Sequence, residues 1–159
     1  MPVDKIVVPL LRVPLFAGLR PLQISEIARQ AERMRFRAGD IITKAGAPGD
    51  GAYVIVSGHA DCVAGPQPLA SPEPVEPGSL IGEMAMLVEH EFGFTIIARE
   101  RVLCLKITRT ALHAQMLEDV SLAHYFQRHI AQRLRKVAED LRQIDGVLAM
   151  CEGSAAARD

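Results

Sequence analysis

Glu76-Pro77-Gly78-Ser79-Leu80-Ile81-Gly82-Glu83-Met84-Ala85 is the stretch on which the reading of this chain turns. Pro-Gly sets a tight turn, because proline presets φ and glycine supplies the positive φ that other residues resist. Two apolar residues then lead into Gly82-Glu83, followed by apolar Met84 and small Ala85. Such a loop presents one carboxylate and a row of backbone N–H groups, which suits a ligand carrying both hydroxyls and a phosphate. Ten residues beyond Gly82 comes Phe92-Gly93-Phe94-Thr95, where an anion site would supply a cation; none stands there.

Upstream, the chain from Met34 to Val63 breaks into short β-rich runs: Ile41-Ile42-Thr43, Tyr53 to Val56 and His59 to Val63. Their separators, Ala38-Gly39-Asp40, Gly46 to Asp50 and Ser57-Gly58, are turns by composition. Short strands at this spacing predict an antiparallel barrel or sandwich. Pro66, Pro68, Pro72, Pro74 and Pro77 cannot pair inside a sheet, so residues 65–78 are expected as an exposed loop or short edge segment. Strand patterning resumes at Phe94 to Ala98 and Val102 to Ile107, and Thr108 starts a helix carrying Leu112, Met116 and Leu117. Before the strands, Leu10 to Ala31 reads as helix broken by Pro14 and Gly18. Pro21 opens a segment in which Leu22, Ile24, Ile27, Ala28 and Ala31 share a face.

Ser121 to Met150 is the clearest helix. Ile130, Leu134, Val137, Leu141, Ile144 and Leu148 recur at spacings of four, three, four, three and four. That is a heptad seam, narrower than the stripe of a helix packed on its own domain. Leucines hold one seam position and β-branched residues most of the other, with Cys151 just beyond, and a homodimer through a parallel helix pair is expected. Arg133, Arg135, Lys136, Glu139, Asp140 and Arg142 cover the flanks.

Composition sets the outer bounds. At 159 residues, 49% of them apolar, the chain is long enough for one domain with a real core. A net charge of −1 gives no bulk attraction to nucleic acid or an acidic membrane. No stretch approaches the roughly 18–20 apolar residues that span a bilayer, so no membrane partner is expected. Three cysteines, Cys62, Cys104 and Cys151, are too few and too scattered for a disulfide framework or an iron–sulfur cluster. They fit the reducing cytoplasm. The histidines at 59, 90, 113, 124 and 129 show no metal-ligand spacing. No nucleophile–base arrangement points to catalysis, so neither a metal, a firm cofactor nor an enzyme is expected.

With these motifs in order, the chain resembles a cyclic nucleotide-binding domain of the kind found in bacterial Crp/Fnr regulators and cyclic-nucleotide-gated channels. The resemblance is carried by Pro14-Leu-Phe-Ala-Gly-Leu19, Ala38-Gly-Asp-Ile-Ile42, Gly46-Ala-Pro-Gly-Asp50, Tyr53-Val-Ile-Val-Ser-Gly58 and Gly82-Glu-Met-Ala85, and it covers about Pro9 to Ile144. It implies an α+β fold: an antiparallel, jelly-roll-like β-roll over about 34–107, N-terminal helices, and a long C-terminal helix over about 121–150. The domain spans 9–150, with 1–8 and 151–159 as flexible ends.

The resemblance also implies a ligand, cyclic AMP or cyclic GMP, and a phosphate-binding cassette. In that cassette Glu83 accepts from the ribose 2′-hydroxyl, while Gly82, Met84 and Ala85 supply backbone around sugar and phosphate. The family's Pro-Arg-Ser falls on Glu91, Phe92 and Gly93, so the cation that pairs with the phosphate is replaced by a phenyl ring. Arg99 and Arg101 are the nearby candidates to replace it. Two functions follow. One is a small-molecule sensor in which ligand moves the final helix. The other is a degenerate domain, empty of nucleotide, that serves as a dimerisation or interaction module. No DNA partner is expected, since only Cys151 to Asp159 follow the long helix.

Overall fold

The computed structural model describes residues 4–156, which divide into two compact units at the Leu122/Ala123 boundary. The first unit opens with helix α1 (Asp4–Leu11), a 3-10 turn (Pro14–Phe16) and helix α2 (Pro21–Gln30). Pro21 stands in the first turn, where a missing N–H leaves nothing unpaired. Ile24, Ile27 and Ala28 are buried as their spacing requires, but Leu22 is 73% exposed and Gln23 takes the inward place beside them.

Strands follow in quick succession: β1 (Glu32–Phe36), β2 (Ile41–Thr43), β3 (Pro48–Gly49), β4 (Gly51–Ser57), β5 (Ala60–Ala64), β6 (Glu73–Val75) and β7 (Leu80–Ile81). A short helix α3 (Glu83–Leu87) interrupts them before β8 (His90–Glu91), β9 (Thr95–Ala98) and β10 (Val102–Thr108); helix α4 (Arg109–Glu118) closes the unit. The pairing is antiparallel throughout, in one four-stranded sheet of order β1-β10-β4-β7, another of order β2-β9-β5-β6, and the small pair β3-β8. The sheets keep free edges and do not close into a barrel, so the architecture is an open roll.

Burial explains the order. Ala52 to Ile55 of β4 are buried without alternation, as befits a strand covered on both faces. Ile42, Tyr53, Ile55, Ala60, Cys62, Ile81, Ile96, Ala98, Val102 and Cys104 form one core drawn from both sheets. The proline-rich run places a strand only where one can survive: β6 pairs on one side alone, with Pro74 opposite Asp61 at the sheet edge.

The second unit is the body of helix α5, which runs Val120–Ala156. Leu134, Val137, Leu141, Ile144 and Leu148 are each more than half exposed, so the seam faces outward as a surface. Of the ends expected to be flexible, residues 4–8 lie in α1 and 151–156 in α5, while 1–3 and 157–159 lie outside the described residues.

Candidate functional site

The Pro77-Gly78 turn lays its chain back on β4. The Gly78 N–H donates to the Ile55 carbonyl at 2.8 Å, and the Ile55 N–H donates to the Ser79 carbonyl at 3.1 Å. Ile81 then pairs with Tyr53, which brings Gly82 beside the start of β4. Gly82 adopts φ +77°, a conformation open to glycine and costly for other residues, and from it the chain turns directly into α3. Glu83 stands in the first turn of that helix, where the macrodipole favours a carboxylate. Glu83 and Met84 are half-buried, while Ala85, Met86 and Leu87 are anchored in the interior. The Ala85 N–H closes the turn on the Gly82 carbonyl at 3.0 Å. Gly82, Glu83 and Met84 thus lie together at the start of α3, with Ala85 buried behind them.

Phe92 completes it in an unexpected way. A methyl group on Gly82 would lie 2.6 Å from Phe92 Cε1, and one on Gly49 would lie 3.1 Å from Phe92 Cζ. The ring therefore lies against two glycines from different parts of the chain. It also stands 6.3 Å from the Tyr53 ring, which in turn meets Phe36 edge-on at 6.2 Å. The backbone fixes the position: the Phe92 N–H donates to Ala47 at 2.9 Å, and the Gly46 N–H donates to the Phe92 carbonyl at 2.8 Å. The position that carries the cation in the resembled cassette here carries an aromatic ring bedded on the loop itself. Gly93, next to it, is exposed with open space around its α-carbon.

Neither arginine considered as a substitute reaches this place. Gly82 lies beside the Gly51 carbonyl at the start of β4, whereas the Arg101 carbonyl lies against Gly58, just past its end. A strand of that length separates them by about 20 Å. Arg99 bonds to the His59 carbonyl at the same far end, and its guanidinium grips Asp61 with two hydrogen bonds. Lys106 lies 5.9 Å from the Tyr53 ring centre and bonds to Asp50 at 2.8 Å. Burial pushes the Tyr53 hydroxyl above its ordinary pKa, with Lys106 pulling the other way.

The far end of α3 is held by α4, and nothing in the sequence announced it. Arg109 Nη1 donates to the carbonyls of Gly49 (3.0 Å), Ala85 (3.0 Å) and Val88 (3.1 Å). His113 Nε2 donates to the Leu87 carbonyl at 2.7 Å. Those of Ala85, Leu87 and Val88 are carbonyls that a helix leaves without internal partners at its C-terminus. His113, read from sequence as a lone histidine, is a helix clamp. Arg109 also forms one wall of an open depression of about 550 Å³, with Pro48, Gly49, Glu89, His90 and Glu91.

At the other end of α4, Asp119 receives the Gln23 amide at 2.8 Å and Arg20 at 3.1 Å, and it caps the start of α5 through the Ser121 N–H at 3.0 Å. Donation from Ser121 and Gln23 holds the Asp119 carboxyl well below the usual carboxylate range. No cluster of three or more His, Cys, Asp or Glu side chains with metal-site geometry occurs among the described residues. None of their helices is long and apolar enough to cross a membrane. Cys62 and Cys104 are buried free thiols, and burial pushes Cys104 up to about 12.

Comparison with known proteins agrees with this geometry. The family model for the cyclic nucleotide-binding domain matches residues 33–119. A cyclic nucleotide-gated potassium channel from Mesorhizobium japonicum is 29% identical over 123 residues, covering 76% of this chain and 33% of that protein. A cAMP-dependent protein kinase regulatory subunit from Emericella nidulans is 33% identical over 101 residues, covering 61% of this chain and 23% of that protein. The chain therefore spans a third or less of the length of these relatives. Among solved structures, the N-terminal domain of a transcriptional regulator from Streptomyces coelicolor superposes with a TM-score of 0.73 at 27% identity, over 84% of this chain and 94% of that one.

Proposed function

From the premise that this chain belongs to the cyclic nucleotide-binding domain family, we propose that it is a regulatory sensing module whose cassette, Gly82 to Ala85, takes a cyclic nucleotide. The observation that carries the proposal is the left-handed Gly82 delivering Glu83 into the first turn of α3. Glu83 would accept from a sugar hydroxyl, and the backbone of Gly82, Met84 and Ala85 would line the sugar and phosphate. Cyclic AMP and cyclic GMP are the ligands of choice.

Signal passes outward through contacts already named. A ligand that shifts α3 moves the carbonyls of Ala85, Leu87 and Val88, and with them Arg109 and His113 on α4. The output is a change at α5, whose outward seam is the element for self-association. Such coupling works only if ligand favours one α3 position over another.

A second reading is favoured by one observation, the Phe92 ring bedded on Gly82 and Gly49. In it the cassette is filled from within, and the domain serves as an interaction module empty of nucleotide. Phe92 and exposed Gly93 then belong to a surface in place of a pocket.

Calorimetric titration of nucleotide-free protein with cyclic AMP and cyclic GMP, beside Glu83→Ala, separates the two. Saturable binding that the variant loses supports the sensor. Absence of heat and of thermal stabilisation near millimolar ligand leaves the interaction module.

A further inference from the structure

We propose that α5 joins four copies of this chain in a parallel bundle, where a heptad seam by itself suggests two. The proposal rests on the reading of α5 as the self-association element, and its test needs no nucleotide.

The seam needs a cover. Leu134 (65% exposed), Val137 (51%), Leu141 (57%), Ile144 (56%) and Leu148 (55%) lie on one face of a helix that carries Arg135, Lys136, Glu139 and Arg142 on the opposite side. Strict alternation of three and four residues is complementary to another helix with the same repeat, since each knob then finds a hole at every turn. A second copy of this chain supplies that repeat.

Which residue type holds which position argues for more copies than two. The step from a to d in a heptad is three residues, so Leu134, Leu141 and Leu148 are at a, and Ile130, Val137 and Ile144 are at d. In a parallel pair the Cα–Cβ bond at d points towards the partner backbone, and a side chain branched at Cβ fits poorly there. β-Branched residues at a with Leu at d suit two strands; Leu at a with Ile at d shifts the preference towards higher-order bundles. This chain has the second arrangement.

The flanks agree. A four-stranded bundle buries the e and g positions more deeply than a pair does. Here Ala131 and Ala138 stand at e and Val147, 60% exposed, at g. Arg133 at g can lay its aliphatic stem over Ala138 of the neighbouring copy. One flank contact opposes assembly: Asp140 at g faces Asp145 at e of the neighbour, a like-charge pair.

The test is the mass of the full chain in solution by sedimentation equilibrium, with and without a seam exchange. The expected mass for the natural sequence is four times 17.3 kDa. Exchanging the positions, with Leu134, Leu141 and Leu148 each changed to Ile and Ile130, Val137 and Ile144 each changed to Leu, keeps the apolar content and should give a dimer. Asp145→Lys should tighten the tetramer several-fold by facing Asp140, but only if the helices run parallel. A natural chain that sediments as monomer, dimer or trimer overturns the proposal, as does an exchanged chain that stays tetrameric. Helical circular dichroism on each variant separates a changed stoichiometry from a lost helix, and Asp145→Lys, which leaves the seam untouched, carries the test if the exchanged chain does not fold.

Discussion

Phe92 shows how one side chain can fit a fold and still alter its chemistry. A guanidinium offers an anion charge-assisted hydrogen bonds worth roughly 1.5–3 kcal/mol; a phenyl ring offers none, and its bed on Gly82 and Gly49 occupies space besides. Phe92→Arg is therefore expected to raise affinity for cyclic nucleotides by about one to two decades, read by the same calorimetry. An arginine variant that folds and binds no tighter than the natural chain would sink the cassette reading. The identity of Phe92 was plain in the sequence, but its seat was not. Gly49 belongs to a turn motif quoted for its backbone, and only the paired strands β3 and β8 bring it under the ring. A second residue-scale prediction concerns His59, which the fold sets between Glu100 (2.5 Å) and Glu76 (3.2 Å). The hydrogen bond with Glu100 raises its pKa above the ordinary 6.5. The folded state thus binds the proton more tightly, so the contribution is complete below the unfolded pKa of about 6.5 and fades as pH rises through the higher folded value. His59→Gln should flatten the decline of Tm above pH 6.5 in thermal melts; an unchanged slope counts against the pair.

Elements show where pattern reading works and where it stops. Helix α4 was legible because Thr108 is a good N-cap, and its hydroxyl does accept from the Ala111 N–H at 3.3 Å. The role of α4 was hidden, since it lies in Arg109 and His113 reaching backbone carbonyls, which carry no sequence signal. β1 was hidden for another reason. Glu32-Arg-Met-Arg-Phe36 reads as polar, yet Met34 and Phe36 pack on the core and the charges face out along the pairing with β10. The helical reading began only at Leu10, whereas α1 starts at Asp4 and holds Pro9 near its C-terminal end. Arg109→Met keeps the stem and removes the donor shared by Gly49, Ala85 and Val88. The cost should be about 1–3 kcal/mol, with amide exchange faster in residues 83–88 than in β4 and β10. Equal acceleration everywhere would mean that Arg109 supports the whole roll and not α3 in particular.

For the whole molecule, the two units owe their stability to different sources. The roll buries a shared core of Ile55, Val102, Cys104 and their neighbours, so its opening should require near-global unfolding. The β-roll and its order were legible because turn chemistry and strand composition agree from Gly39 to Gly82. Its division into two sheets with free edges depends on long-range pairing that composition does not encode. The body of α5 has no such source of its own. From Gln132 to Cys151 it is exposed on every side, and an isolated helix gains little beyond its propensity, because nucleation is unfavourable and packing supplies most helical stability. Gly146 weakens it further by about 1 kcal/mol relative to alanine. If copies of this chain cover the seam, protection of α5 amides must rise with protein concentration while that of β4 and β10 stays fixed, because only association is governed by mass action. Hydrogen exchange followed by mass spectrometry over a hundredfold range of concentration reads both segments in one sample. Protection in residues 130–150 that climbs with concentration marks self-association along the seam. Protection that is already strong and does not change, at concentrations where the chain sediments as a monomer, would mean that α5 is stable as a single helix, and the seam would then be open to another partner.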